Sequence, residues 1–285
     1  MLKIVADGSA DMPAGWEERY GINILPLEIQ VGEDLFLQGR DITSENFYDL
    51  VLKKQKPPKT SLPSPYQVKE FYKRIAVRGD QILSIHVGSK LSGTLNIIQQ
   101  AARELTGELD VFPFDSGAGS AAIGFMCREA RALNNEGWSI SSIINHLSSL
   151  RDRLTIVFTV ENLEFVRLSG RINALQSGLA SLLKINPIIK LKDGLLFMAQ
   201  RVRTRQKAIE QIVDEIKSRV GDTKSHLAIV HAACPETAQK VAEMVGALIP
   251  THGDIVVTEL SIPVAAHLGP GTIGIVAYPA LKGKN

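Results

Sequence analysis

Short apolar runs that stop at polar, glycine-bearing turns constrain this chain more than any other feature. Leu2-Lys3-Ile4-Val5-Ala6 stops at Asp7-Gly8-Ser9. Gln81 to Val87 stops at Gly88-Ser89-Lys90-Leu91-Ser92-Gly93-Thr94, and Leu109 to Phe114 stops at Asp115-Ser116-Gly117-Ala118-Gly119. Apolar runs of this length, bounded by turn residues, read as buried strands. Helical spacing follows the second run, from Leu95 to Leu105. Strands and helices mixed in this way fit the α/β class. If the strands are parallel, all three turns lie at the carboxyl edge, where open α/β sheets bind ligands.

Residues 88–94 have the chemistry of an anion cradle. A helix start leaves backbone N–H groups unpaired, and its dipole favours negative charge. Ser92 and Thr94 add hydroxyls, and Gly93 permits close approach to the backbone. A plain helix cap uses the same residue types and is the simpler reading of this stretch taken alone. Asp7 and Asp11 flank Ser9 in a polar turn before Pro13. Two carboxylates near a hydroxyl suit acid/base work or a metal, but the spacing fits no standard metal loop, and an Asp- and Ser-rich turn leading into a helix accounts for them. The basic stretch Lys53 to Lys59 contains Pro57-Pro58, which excludes a helix there. Ser64 with Gln67 forms a capping box with Pro65 at the first helical position. Thr60 and Ser61 fall outside that box and are available as donors.

Gly117, Gly119 and Ala122 match the dinucleotide fingerprint, yet the acidic residue expected after the next strand is missing. Close packing explains the glycines better. Ser181-Leu182-Leu183-Lys184 matches the S-x-x-K of penicillin-recognising enzymes without its companion motifs.

With 285 residues, 45% hydrophobic and 22% charged, the chain can bury one large or two ordinary cores. A net charge of +2 and 6% aromatic residues argue against a nucleic-acid surface. Two cysteines, Cys127 and Cys234, lack metal-site spacing and fit a reducing, cytoplasmic setting. No apolar run reaches membrane-spanning length, so no stable membrane insertion is expected.

The expected domains are 1–152 and 153–285. Within the second, Ile185 to Leu191 and Leu195 to Met198 read as a hairpin around Asp193-Gly194. Arg171 sits in a basic turn, and Leu175 to Leu183 is apolar on much of its surface, suited to plain core or to the wall of a lipid cavity. Arg201, Arg203, Arg205 and Lys207 read as a solvated strand edge leading into a helix from Thr204. His267 precedes Gly269-Pro270-Gly271, the most rigid mount of any histidine here.

Taken together, Asp7 to Pro13, Thr60-Ser61-Leu62-Pro63-Ser64, Lys90 to Thr94, Ser169-Gly170-Arg171-Ile172 and His267 to Gly271 resemble the DegV family, which includes the FakB acyl-binding subunits of bacterial fatty acid kinase. The resemblance spans nearly the whole chain. It implies an N-terminal Rossmann-like parallel sheet and a C-terminal α/β domain with a mixed or antiparallel sheet. It further implies a long-chain fatty acid in a buried apolar cavity between the domains. Thr60 and Ser92 would then hydrogen-bond the carboxylate, with His267 close by and Ser61, Gly93 and Thr94 completing its surroundings. Arg171 would dock the kinase catalytic subunit, which forms the acyl phosphate. The chain itself would carry no catalytic residue, metal or cofactor beyond the bound lipid. It departs from the family at Gly88-Ser89, where Ser-Ser is common, at Leu95, where an aromatic is common, and at Ser169-Gly170-Arg171, where Gly-Gly-Arg is usual. Two other classes compete: an acyl-ester hydrolase using Ser92 and His267, and a nucleotide-binding enzyme using Gly117-Ala118-Gly119.

Overall fold

The computed structural model describes residues 1–169 and 185–280. The chain divides into two compact units. The first holds Met1–Arg151 together with Ser261–Ala266, and the second holds Asp152–Leu260 and the chain from His267 onward. The return of 261–266 to the first unit is a feature that a linear division at residue 152 does not contain.

In the first unit the elements are β1 (Leu2–Asp7), α1 (Trp16–Tyr20), β2 (Ile22–Leu25), β3 (Glu28–Val31), β4 (Asp34–Leu37), α2 (Ser44–Lys54), β5 (Pro58–Ser61), α3 (Pro65–Ile75), β6 (Gln81–His86), α4 (Thr94–Glu104), β7 (Asp110–Asp115), α5 (Ala121–Asn135) and α6 (Ile140–Arg151). A four-stranded sheet runs β2-β1-β6-β7, parallel throughout, with Ile4 opposite Leu83 and Ile82 opposite Val111. Ile4, Val5, Ile82, Leu83 and Ile85 have no exposed surface. Such strands, covered on both faces, lose the polar alternation of a half-solvated strand. The parallel register carries the turns after residues 7, 86 and 115 to one edge. A separate three-stranded antiparallel sheet runs β4-β3-β5, with α2 packed against β3.

Helix boundaries follow their caps. The Ser64 N–H donates to Gln67 Oε1 at 2.7 Å, the Gln67 N–H donates back to Ser64 Oγ at 3.2 Å, and Pro65 opens α3. The buried stripe of Val68, Phe71 and Tyr72 then packs against Val5 and Ile82. Helix formation after Pro13 is delayed: α1 starts only at Trp16, after Gly15 at φ 83°. Thr60 and Ser61 lie on β5, not in a loop, because Pro58 and Lys59 already pair with Val31 and Gln30.

The second unit contains β8 (Thr155–Thr159), α7 (Leu163–Ser169), β9 (Asn186–Lys192), β10 (Leu195–Val202), α8 (Arg205–Val220), β11 (Ser225–His231), α9 (Pro235–Leu248), β12 (Val256–Glu259) and β13 (Ile273–Pro279). Its six-stranded sheet runs β10-β9-β8-β13-β11-β12, and only β11–β12 pair in parallel. The expected hairpin is β9–β10, turning at Asp193 (φ 52°) and Gly194 (φ 75°), a pair of left-handed residues that matches strand twist. Helices α8 and α9 cover one sheet face through Ile212, Val213, Ile216, Val241 and Val245. The other face carries a smaller cluster of Phe158, Val160, Val166 and Ile189, with Ile156, Leu163, Leu196, Met198 and Leu268 only partly buried against it. Helix α10 (Ile262–Leu268) begins in the first unit and ends with His267 and Leu268 in the second.

Candidate functional site

The start of α4 brings two hydroxyls together in the first unit. Its N-cap is Gly93, which supplies no capping side chain. Ser92 Oγ instead lies 2.9 Å from Thr94 Oγ1 and accepts the Thr94 N–H at 3.3 Å. Ser92 is half-buried and Thr94 buried. The hydroxyls therefore form a pair at the mouth of the helix, beside the positive end of its dipole. Two hydroxyls and the first-turn N–H groups can hold one oxyanion without a full counter-charge.

The end of β5 reaches this turn through Leu62. A Cβ on Gly93 would lie 3.0 Å from Leu62 Cδ1, so the two segments touch where Gly93 has no side chain. Thr60, opposite Ile29, and Ser61, opposite Glu28, immediately precede that contact. Five predicted residues, Thr60, Ser61, Ser92, Gly93 and Thr94, thus sit on two adjoining segments of one unit.

The loop between β6 and α4 is fixed from three sides. Gly88 donates its N–H to Ala118 O at 2.7 Å, and a Cβ at 88 would stand 2.8 Å from the Gly117 carbonyl carbon. Only glycine lets the two backbones come this close. Ser89 gives its N–H and hydroxyl to the Asp115 carboxylate at 3.2 and 2.6 Å. The space around Gly117 is filled from the other side by the Arg151 side chain, whose Cδ would be 3.0 Å from a Cβ there. Gly117 is thus packed between the Gly88 backbone and the Arg151 side chain, and Gly119 lies against the Val87 side chain, so these glycines serve close packing.

A buried polar chain anchors the same loop from below, and sequence reading missed most of it. Asp7, wholly buried, accepts the Val87 N–H at 2.9 Å, the Ser9 N–H at 2.9 Å and the Ser9 hydroxyl. His86 Nδ1 donates to Asp7 Oδ2 at 3.0 Å, its Nε2 accepts from Ser84 Oγ at 2.7 Å, and Ser84 accepts from Tyr72 OH at 2.7 Å. Burial pushes the Asp7 carboxyl up, but the hydrogen bonds it accepts from His86, Ser9 and Val87 more than reverse this and hold it below the ordinary value. Burial raises the Tyr72 hydroxyl, keeping it protonated as a donor. Ser84, His86 and Asp7 have the order of contacts of a hydrolytic triad. All three are fully buried and Ser84 is occupied by Tyr72, so the chain orients loops and reaches no substrate. The available signal was Ser84 and His86 at alternate positions of an otherwise apolar strand, both on one face.

In the second unit, His267 is half-buried at the end of α10. The turn after it is held by Thr272 Oγ1, which donates to Leu268 O and Gly269 O at 3.1 and 2.8 Å. Gly271, at φ 74°, donates its N–H to Ala232 O at 2.8 Å and accepts from Arg205 Nη2. Its missing Cβ makes room for the Glu161 carboxylate, whose Oε2 would be 1.9 Å away. Arg205 therefore turns inward at the N-terminus of α8, while Arg201 and Arg203 stay exposed at and just beyond the edge strand β10. Arg171, the Leu175 to Leu183 stretch and the Ser181 to Lys184 match lie outside the described residues. Among the described residues no cluster of three or more His, Cys, Asp or Glu could hold a metal, both cysteines are free, and no helix is long and apolar enough to cross a membrane.

A family model described as uncharacterised protein, DegV family, matches residues 1–280. The chain belongs to the DegV family. A DegV domain-containing protein of Streptomyces coelicolor is 32% identical over 276 residues, covering 96% of this chain and 97% of that one. Among solved structures, a DegV family protein from Thermus thermophilus, described by its fatty acid binding, superposes with a TM-score of 0.87 at 29% identity, covering 98% of this chain and 99% of that one. DegV from Bacillus subtilis, described as a fatty acid binding protein, gives 0.86 at 26% identity, covering 98% and 99%. The DegV fold thus accounts for both units, the parallel sheet of the first and the mixed sheet of the second.

Proposed function

We propose that this DegV protein binds a long-chain fatty acid and presents its carboxylate to the catalytic subunit of a fatty acid kinase, which converts it to an acyl phosphate. The observation that carries the reading is the contact of two hydroxyl-bearing segments, Thr60-Ser61 and Ser92-Gly93-Thr94, at an α4 start that no side chain caps from Gly93. Thr60 and Ser92 bind the carboxylate oxygens, Ser61, Gly93 and Thr94 line them, and His267 supplies a further polar contact. The fatty acid binding of the two solved relatives supports the ligand class.

The acyl chain needs a long apolar surface, and each buried CH₂ contributes roughly 0.8 kcal/mol. In the second unit the partly buried side chains around Phe158 and Val166 offer one. Neutral donors suit a head group that must remain reachable, since a fully buried bare carboxylate is costly. In this reading the phosphoryl-transfer machinery belongs to the kinase, which transfers the γ-phosphoryl group of ATP to a carboxylate oxygen, releasing ADP. Arg171 is the proposed docking contact. Two free thiols fit work in the reducing cytoplasm.

Hydroxylamine trapping tests the presentation step. Lipid-loaded protein, a fatty acid kinase catalytic subunit and ATP should yield acyl hydroxamate, and omission of this protein should abolish it. Equal yield with and without it would refute a presenting role.

A further inference from the structure

Asp11 has no part in the reading above, yet it joins three distant stretches of the first unit. The side chain is buried, with 2% of its surface exposed. Its Oδ1 accepts the Ser261 backbone N–H at 2.7 Å, and its Oδ2 accepts the Ser120 hydroxyl. Helix α5 closes on it from behind: a Cβ at Gly124 would lie 2.4 Å from Asp11 O.

Both of these partners are unusual. Ser120, the N-cap of α5, sits at φ 62° and ψ −145°. Residues other than glycine enter that region only when their surroundings force them, at a cost. Its N–H to Ser9 O at 3.0 Å and its hydroxyl to Asp11 hold it there. Ser261 opens the short stretch that packs with the first unit although the chain on either side belongs to the second. Its own hydroxyl is buried without a partner, so the tie to Asp11 runs through the backbone alone. Ser261 O also accepts the Ala265 N–H at 2.8 Å, which places Ser261 at the head of α10. A carboxylate there is favoured by the helix dipole.

Six residues on, about 9 Å along the axis at 1.5 Å per residue, the same helix carries His267. Fixing the first residue of a short rigid helix sets the position of its last turn. We propose that Asp11 is a positioning residue for His267, acting through Ser261 and α10 and never touching the ligand. The inference rests on His267 taking part in carboxylate binding as proposed above.

A double-mutant cycle on delipidated full-length protein, titrated with palmitate, tests it. Asp11→Ala should weaken binding tenfold or more. Asp11→Asn should stay within a few-fold of the unmodified protein, because the amide oxygen still accepts the Ser261 N–H. In a His267→Ala background, Asp11→Ala should cause no further loss. Ser120→Gly covers the case in which Asp11→Ala does not fold: glycine adopts this backbone without strain, so the melting temperature should hold or rise while affinity falls a few-fold. An equal loss from Asp11→Ala with and without His267, or affinity that simply follows melting temperature, overturns the proposal. Unchanged palmitate affinity in His267→Ala also overturns it, and Ser92→Ala then reports separately whether the head-group reading stands.

Discussion

Ser92 differs from Ser64 and Ser89 in what surrounds it. Ser64 is committed to its capping box and Ser89 to Asp115, whereas Ser92 shares a half-buried site with Thr94 at an open helix start. Ser92→Ala and Thr60→Ala should each remove one hydrogen bond to a charged group, worth roughly 1.5–3 kcal/mol. Palmitate titration should read a loss of about tenfold or more, with unchanged circular dichroism. Affinity equal to that of the unmodified protein would return Ser92 to local turn structure. Gly88 makes a second residue-level prediction. Gly88→Ala must push its Cβ into the Gly117–Ala118 backbone, and overpacking of that kind costs about 1–3 kcal/mol. Chemical denaturation should show the loss.

Asp7 belongs to the scale of elements, because it ties the ends of β1 and β6 together through Ser9 and Val87. Its carboxyl is held below the ordinary value in the folded protein. A depressed carboxylate contributes stability that is fully present above its unfolded pKa, about 3.9, and is lost as pH falls through the lower folded value. Urea midpoints should therefore drop as the solution is acidified below about pH 5, and Asp7→Asn should be less stable at neutral pH with a shallower acid slope. An acid limb identical in both proteins would remove Asp7 from this role. At this scale much was legible in advance. Buried strands β1 and β6, the α3 capping box and the β9–β10 turn follow from patterns that act over a few residues, whereas β7, expected to be buried, is an edge strand in which only Phe114 is buried. The buried Tyr72–Ser84–His86–Asp7 chain was not legible, since its members meet only after β1 and β6 pair in parallel. Nor was the place of Thr60 on β5, which depends on pairing with β3 across a distant turn.

For the whole molecule, local patterns predicted two α/β regions but not the excursion of Ser261–Ala266 into the first unit. One tie of that excursion is Asp11 to the Ser261 N–H, between residues that nothing in the sequence links, and the buried Ile262, Pro263, Ala265 and Ala266 pack along with it. The candidate site was readable in part for the same reason: its pieces are short hydroxyl and glycine stretches, each ambiguous alone, joined only when the fold brings Leu62 to Gly93. The ligand class draws on the chemistry of that junction together with the fatty acid binding of solved DegV relatives. Native mass spectrometry of the protein as purified, followed by lipid extraction, tests the central claim most directly. The account predicts a bound species with the mass of one long-chain fatty acid, depleted in Ser92→Ala; a lipid-free protein that also fails to bind added palmitate would contradict it.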